Sequence, residues 1–432
     1  MRLSLAMIVK NEAPRLAHCL ESVRGLVDEM IVVDTGSTDG TADLARSLGA
    51  TVLPHAWQDD FAEARNAALA ACTGDWILVL DADEALDARD HGAIRTALED
   101  PSAHAYRLWM RNYLKSGAFL SAERGIQAND DRYGEGRAYG HFQLGRRLRL
   151  FRAQGQPVFE GRVHELADPY FEARALEIRD LDATIHHLGK VGYGKDLTKQ
   201  AHYLALAQAD ARAHGEDPQR HWNVLNEAMA LEDWPVVLEA AQAYLRLRDQ
   251  APALVFLGSA KAMTALGRAP EALETLRSLL DADPSHAPAL VVKGEALAAL
   301  GRTDEALAAY GAAMAAQPAL TLSFFLAARL LDGQGRGDLA RRVLEAGLDQ
   351  NPQDLRLWEA LVGHSARFDA ARAAADAWDA LQAVPDGGEG IWHLLVARTL
   401  EGQGDPEEAR EVVRRGLEAF PGHPELVALA GR

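Results

Sequence analysis

Asp81, Asp83 and Glu84 place three carboxylates within four residues, directly after the apolar run Trp76-Ile77-Leu78-Val79-Leu80. Acids at the end of a buried strand have few chemical uses. A calcium loop needs a further oxygen ligand at position 85 and glycine at 86. Ala85 and Leu86 exclude it. An aspartyl nucleophile of the D-x-D-x-T/V type is disfavoured by Ala85, and by the late position of the motif, which is not on the first strand. A third use is a D-x-D pair that holds a divalent metal against the diphosphate of a nucleotide-sugar. Two close carboxylates repel a diphosphate, and Mg²⁺ or Mn²⁺ between them reverses the sign of the interaction. Helix N-capping also produces isolated acids of this kind, so the surrounding sequence must decide.

The elements that position these acids alternate between two periodicities. Leu3–Val9, Glu29–Asp34, "TVLPH" and "WILVLD" are strand-like, and Pro14–Gly25, Thr41–Leu48 and Phe61–Ala71 are amphipathic helices between them. Alternation of this kind predicts a parallel sheet covered on both faces, with ligands beyond the carboxyl ends of its strands. Those ends are Lys10-Asn11-Glu12, Asp34-Thr35-Gly36-Ser37 and Asp81-Ala82-Asp83, all polar and all containing an acid.

Four segments surround the motif in a definite order: "MIVKNE", "IVVDTGSTDGT", "DFAEARNAAL" and "GDWILVLDADE". Together they resemble family-2 glycosyltransferases of the GT-A fold, over residues 1–190. Downstream, "RLRLFR", "FEGRVHE" and "IHHLG" are similar to the subgroup that includes bacterial core-sugar transferases and peptide S-glycosyltransferases, some of which carry tetratricopeptide repeats. The resemblance implies an inverting transferase using a nucleotide-sugar, a UDP-sugar in particular, with Lys10, Asn11, Glu12, Asp34, Thr35, Arg65 and Asp81 at the donor. Thr35 stands where many relatives have a second acid. Asp39 is expected to cap the following helix, and Trp57 and Phe61 to anchor their loop. Arg65 and Asn66 would be solvated if the helix merely faced water. The resemblance instead places Arg65 at the mouth of the sheet, where a guanidinium suits bidentate binding of the nucleotide.

The metal would be held by Asp83 and His187, with Asp81 either a further ligand or a contact to ribose or water. His187 is the histidine of "IHHLG" that fits the relatives' pattern, with His186 beside it. A neutral imidazole suits Mn²⁺ better than Mg²⁺. Inversion needs a base for the acceptor proton. Glu165 of His164-Glu165 occupies that place, with Glu160 as the second candidate and His164 available to orient the acceptor. A thiol acceptor would lower the demand on the base, since it loses its proton near pH 8.5.

The rest of the chain has a different texture. Prolines at 218, 252, 284, 318, 352, 385 and 421 are spaced by 32 to 36 residues, and Ala240, Ala272, Ala306, Ala340, Ala373 and Ala409 each precede one of them by 12. Glycine recurs at 267, 301, 335 and 404. This register is that of tetratricopeptide repeats, about six helix pairs whose apolar faces are buried only against one another. The expected organisation is an α/β GT-A catalytic domain over 1–215 and an all-α tetratricopeptide solenoid over 216–432. The repeats could hold a peptide or protein acceptor. Alternatively they could dimerise or dock an enzyme that builds a lipopolysaccharide or other surface glycan. A non-catalytic scaffold is the reading from a different class, and the intact Asp81, Asp83, Arg65 and His187 argue against it.

The net charge of −18 argues against general nucleic-acid binding. Residues 101–165 nevertheless carry 11 Lys and Arg against 6 Asp and Glu, a local field that suits an anionic ligand. The glycine-rich Ser116–Gly145 has little periodicity and is expected to be a mobile loop, or lid, beside the acceptor. No apolar run is long enough to span a bilayer and the N-terminus does not read as a signal peptide, so the expectation is a cytoplasmic protein. Cys19 and Cys72 form no disulfide framework and are expected to be inert core thiols.

Overall fold

The computed structural model describes residues 1–117, 126–129, 133–188, 197–248, 250–384 and 390–431. Two compact units are present. The first comprises Met1–Tyr113 with Gln143–Ala262, and the second Leu114–Phe142 with Met263–Arg432. Compactness therefore divides the chain at three places, none of them at residue 215.

The strands are β1 (Leu3–Val9), β2 (Glu29–Asp34), β3 (Thr51–Pro54), β4 (Trp76–Val79), β5 (Glu84–Leu86), β6 (Ala105–Leu114), β7 (Ile126–Ala128), β8 (His141–Arg152) and β9 (Ile178–His187). They form one sheet in the order β3-β2-β1-β4-β8-β6-β9-β5, with β7 pairing to β8. The first four strands of that order are mutually parallel, and β4 meets β8 antiparallel. The strand order reverses between β1 and β4, and a crevice at such a switch point is where open α/β sheets bind ligands.

Helices α1 (Ala13–Ser22), α2 (Thr41–Ser47), α3 (Phe61–Ala71), α4 (His91–Leu98) and α5 (Asp168–Glu172) connect or cover these strands. β1 is apolar throughout because it is covered on both faces. Leu3, Leu5, Met7 and Val9 join one core with Leu16, Cys19 and Leu20 of α1. Ala6 joins the other, with Ala68 of α3 and Phe151 of β8, and Ile8 packs against it. Full burial of a leucine such as Leu5 or Leu78 contributes about 1.5–3 kcal/mol.

The first unit continues through α6 (Leu197–Ala213), α7 (Pro218–Leu231) and α8 (Trp234–Leu247) into most of α9 (Ala253–Ala265). Further along run α10 (Ala269–Ala282), α11 (Ala287–Ala299), α12 (Thr303–Ala316), α13 (Leu322–Gly333), α14 (Gly337–Gln350), α15 (Leu355–Ala366), α16 (Ala370–Ala383), α17 (Ile391–Gln403), α18 (Pro406–Ala419) and α19 (Pro424–Ala430). Among the described residues, α7 packs on α8 within the first unit, and α11 on α12, α13 on α14, α15 on α16 and α17 on α18 within the second. The six register alanines are all buried. Gly267, Gly301, Gly335 and Gly404 adopt φ between 72° and 85° at turns between successive helices, a conformation open to glycine at little cost. Pro385 lies outside the described residues.

The expectation of a mobile loop over Ser116–Gly145 is corrected where the chain is described; residues 118–125 and 130–132 lie outside that description. Leu114 and Ile126 belong to an apolar cluster with Leu290, Tyr310 and Leu326 of the repeats. Asp354 caps α15 through the Leu357 amide at 2.9 Å. Its carboxylate also accepts from Ser116 Oγ at 2.9 Å, Gly117 N at 2.8 Å and Thr321 Oγ1 at 2.6 Å. The glycines here serve close packing. A Cβ on Gly117 would lie 2.0 Å from the Ala319 carbonyl oxygen, and one on Gly140 would lie 2.9 Å from Gln353. Lost periodicity marks backbone pressed against helices, within the second unit.

Candidate functional site

The polar strand ends of the first unit are stitched together before any ligand is considered. Asn11, at φ 58°, donates its amide to Ser37 Oγ at 2.9 Å and accepts from Thr38 N at 2.7 Å. Asp34 Oδ1 accepts from the amides of Gly36 and Ser37, an Asx turn that points the following loop away from the sheet. Asp39 is not the helix cap expected of it: Gly40 holds the N-cap position of α2, and Asp39, one residue earlier, accepts from the amides of Thr41 and Ala13. Thr35 is buried, and its hydroxyl donates to the Val9 carbonyl. It closes the β1–β2 end from inside, whereas Lys10 is exposed and Glu12 half-buried. Burial raises the Glu12 carboxyl, with Arg15 opposing and Asp83 adding to the rise.

Arg65 is not on a solvated face. Its guanidinium is buried, and it bonds Glu165 through Nε and Asp81 Oδ1 through NH2, the latter at 2.6 Å. Its remaining nitrogen, NH1, is buried and has no hydrogen-bond partner among the described residues. A buried N–H that is left unpaired costs free energy unless a ligand takes it. Asn66, the next residue, instead fixes backbone, donating to the Phe159 carbonyl and accepting from the amides of Val158 and Phe159. Trp57 and Phe61 pack edge to face, as expected of a loop anchor.

Asp81 is held from both sides. Arg149 of β8 bonds its Oδ2 at 3.2 Å and Glu84 at 2.7 Å, while Glu84 accepts the Asp81 amide at 2.9 Å. Burial pushes the Asp81 carboxyl up, but Arg65 and Arg149 override that and hold it well below the carboxylate range. Burial pushes Glu84 up to about 7, with Arg149 opposing. Glu84 therefore supports the motif from within. Asp81, with both oxygens engaged by arginines, is poorly placed to serve also as a metal ligand.

Asp83 faces the other way. Its Oδ2 lies 3.3 Å from His187 Nε2, and His187 Nδ1 lies 2.6 Å from Asn112 Oδ1 of β6. With Nδ1–H donating to Asn112, Nε2 presents a lone pair to a carboxylate. Two acceptors at that separation repel unless a proton or cation lies between them, and a neighbour that fixes the tautomer is the usual support of a metal-ligating histidine. The span can be bridged by one ion with bonds of about 2 Å to each. With a proton on Nε2 instead, the imidazolium more than offsets the rise that burial gives the Asp83 carboxyl, and its pKa is lowered. Among the described residues no cluster of three or more His, Cys, Asp or Glu could hold a metal. Asp83 and His187 fit a site completed by ligand and water oxygens. His186 is set apart, buried with Nδ1 2.8 Å from the Tyr113 hydroxyl. Gly189 lies outside the described residues.

Glu165, whose side chain is only 10% exposed, reaches this cluster through Arg65, whereas Glu160 is exposed. Sequence reasoning missed Asn112 and Arg149. In Arg147-Leu148-Arg149-Leu150 the arginines alternate with buried leucines, the pattern of a strand with one polar face, so nothing local set Arg149 apart from a solvent-facing arginine.

Fold and site together define an α/β domain whose charged residues gather at the ends of parallel strands, in a chain that continues as helical repeats. Residues 4–147 match the family described as Glycosyl transferase family 2, and residues 263–321 and 389–432 match tetratricopeptide repeats. The chain thus carries an N-terminal family 2 glycosyltransferase domain and C-terminal tetratricopeptide repeats. It is 37% identical over 205 residues to a TPR repeat-containing protein of Synechococcus elongatus, covering 46% of this chain and 44% of that one. An uncharacterized glycosyltransferase of Rickettsia felis is 46% identical over 90 residues, covering 20% and 30%. The SPbeta prophage-derived glycosyltransferase SunS of Bacillus subtilis is 30% identical over 165 residues, covering 38% and 34%. In each case the chain spans less than half the length of the relative. Among the described residues no helix is long and apolar enough to cross a membrane.

Proposed function

We propose that the protein is an inverting glycosyltransferase that moves a sugar from a nucleotide-sugar, a UDP-sugar in the first instance, to a peptide or protein acceptor held by the repeats. The observation that carries this is the Asp83–His187 pair, with Asn112 behind the imidazole, beside Asp81, whose partner Arg65 keeps a buried nitrogen with no hydrogen-bond partner among the described residues. Asp83 and His187 would hold Mn²⁺ or Mg²⁺, and the imidazole favours Mn²⁺. When bound, that ion supplies a Lewis acid for the departing diphosphate. Arg65 NH1 would donate to the same anion. Asp34, Lys10, Asn11 and Glu12 line the strand ends where a nucleoside would lie, with Asp81 positioned by its two arginines. Glu165 would take the acceptor proton as the nucleophile attacks the anomeric carbon from the side opposite the leaving group.

Thermal shift with UDP-sugars, with and without Mn²⁺, tests the donor and metal together. Stabilisation that requires both is expected in the wild type and is lost in Asp83→Asn and His187→Ala. Turnover should fall in those variants by at least about a hundredfold, as for removal of a group that stabilises transition-state charge. Full turnover in Asp83→Asn would sink the metal role.

A further inference from the structure

We infer that Asn223 and Glu227 of α7, the first helix of the repeat region, are positioning residues for Glu165. The inference rests on the reading of Glu165 as base, and its observations all lie within the first unit. The loop carrying Glu165 is closed by reciprocal backbone bonds, Glu160 N to Leu166 O at 3.0 Å and Leu166 N to Glu160 O at 3.1 Å. Two residues inside it have left-handed backbones: Gly161 at φ 105° and His164 at φ 53°. Glycine is needed at 161 for that φ, which L side chains rarely adopt, and the Cβ position there is occupied by the end of the Arg220 side chain, 2.3 Å away. His164 has no such freedom. A histidine persists in that region only where its surroundings over-determine it.

Those surroundings come from α7. Asn223 Nδ2 donates to the Val163 carbonyl at 3.1 Å, and the Asn223 side-chain oxygen accepts from Gln219 at 3.0 Å, which sets the orientation of the amide. One turn later, Glu227 Oε1 lies 2.5 Å from His164 Nε2, while its other oxygen accepts from Gln200 of α6. Asn223 and Glu227 are 2% and 4% exposed. A buried amide and a buried carboxylate cost stability unless paired, and both are paired to the two residues that precede Glu165. The Val163 carbonyl and the His164 ring are thereby fixed on either side of the strained φ. If His164 relaxed to an ordinary backbone, the chain would rotate at 164–165 and swing the Glu165 carboxylate away from Arg65.

The test uses the full chain with Asn223→Leu, which removes the donor at similar size, and Glu227→Gln, which keeps an acceptor and removes the charge. Hydrogen exchange at the Glu160 and Leu166 amides should quicken about tenfold or more, as local opening becomes easier. The kcat for UDP-sugar turnover should fall about tenfold to a hundredfold, the scale of an ångström-sized misplacement. KM and the affinity for UDP with Mn²⁺ should stay within about twofold, since the inference leaves the donor contacts intact. A second pair separates backbone positioning from side-chain loss: His164→Gly tolerates the left-handed φ and His164→Ala does not. His164→Gly should retain several-fold more kcat than His164→Ala. Should Asn223→Leu fail to fold, Glu227→Gln and the His164 pair decide. Wild-type exchange and kcat in the α7 variants, or equal kcat in the two His164 variants, would overturn the inference. Because exchange is read without turnover, a wild type that consumes no nucleotide-sugar would overturn the transferase reading separately.

Discussion

Arg149 shows how much of the site depends on charge pairing that lies far apart in sequence. It is the cation opposite Glu84, a carboxylate 2% exposed that burial already pushes up to about 7. Arg149→Met should raise the Glu84 carboxyl further, so that it takes up a proton at neutral pH, and should cost less than the about 3–5 kcal/mol of a buried charge left unpaired. Adding Glu84→Gln should recover part of that cost, and urea midpoints of the two single variants and the double variant measure the coupling. Cys19 offers a pH test. Its thiol is buried and donates to the Asp81 carbonyl at 3.3 Å. Burial pushes Cys19 well up and Cys72 up to about 12. A raised thiol pKa leaves little thiolate at pH 8, so native protein should resist iodoacetamide there at both positions and react readily once unfolded. Rapid native alkylation of Cys72 at pH 8 would contradict the burial argument. Local motifs singled out Asp81, Asp83, Arg65 and His187, and the structure brings Arg65 to Asp81 and His187 to Asp83. Asn112 and Arg149 were not singled out, because they reach the motif only through the order β4-β8-β6-β9, which no local pattern encodes.

At the scale of elements, periodicity carried most of the reading. β1 and β2 fall on the residues expected, and every register alanine of the repeats is buried. What periodicity could not tell apart is the work of individual glycines. Gly301 turns the chain at φ 72°, whereas Gly294, inside α11, makes room for a neighbour: a Cβ there would lie 2.4 Å from a ring carbon of Tyr310, itself buried. Gly294→Ala should destabilise the second unit by about 1–3 kcal/mol through overpacking. Gly311 of α12 has open space at the Cβ position, so Gly311→Ala should stabilise by about 0.5–1 kcal/mol through helix propensity. Thermal denaturation of the two variants should move in opposite directions. The described parts of 116–145 were misread for the same reason. Their glycines suggested freedom, but Gly117 and Gly140 are there because backbone and side chains press against them.

At the scale of the whole chain, the route between units limits how the function can be dissected. The chain leaves the first unit after Tyr113, returns at Gln143 and leaves again after Ala262. Removing everything beyond residue 215, the obvious way to ask whether the repeats recognise acceptor, would also delete Asn223 and Glu227. Removing everything beyond 262 would spare those two residues but would strip the partners from 114–142. Leu114 and Ile126 would lose their apolar cluster, and Ser116, Gly117 and His141 would lose Asp354 and Asn351. A 1–262 fragment should therefore be cut by protease at 114–117, 126–129 or 133–142, at concentrations that leave those stretches of the full chain uncut. Asp354→Ala reproduces the effect at a single position. It leaves the donors of Ser116, Gly117, Thr321 and Leu357 without an acceptor at a fully buried site, and each unsatisfied group costs about 1–3 kcal/mol where water cannot replace the partner. The variant should show the same new cleavage in those stretches with the chain otherwise complete. Protease resistance of those stretches in both proteins would mean that they are held by their own contacts, and truncation at 262 would then become a fair test of acceptor binding by the repeats.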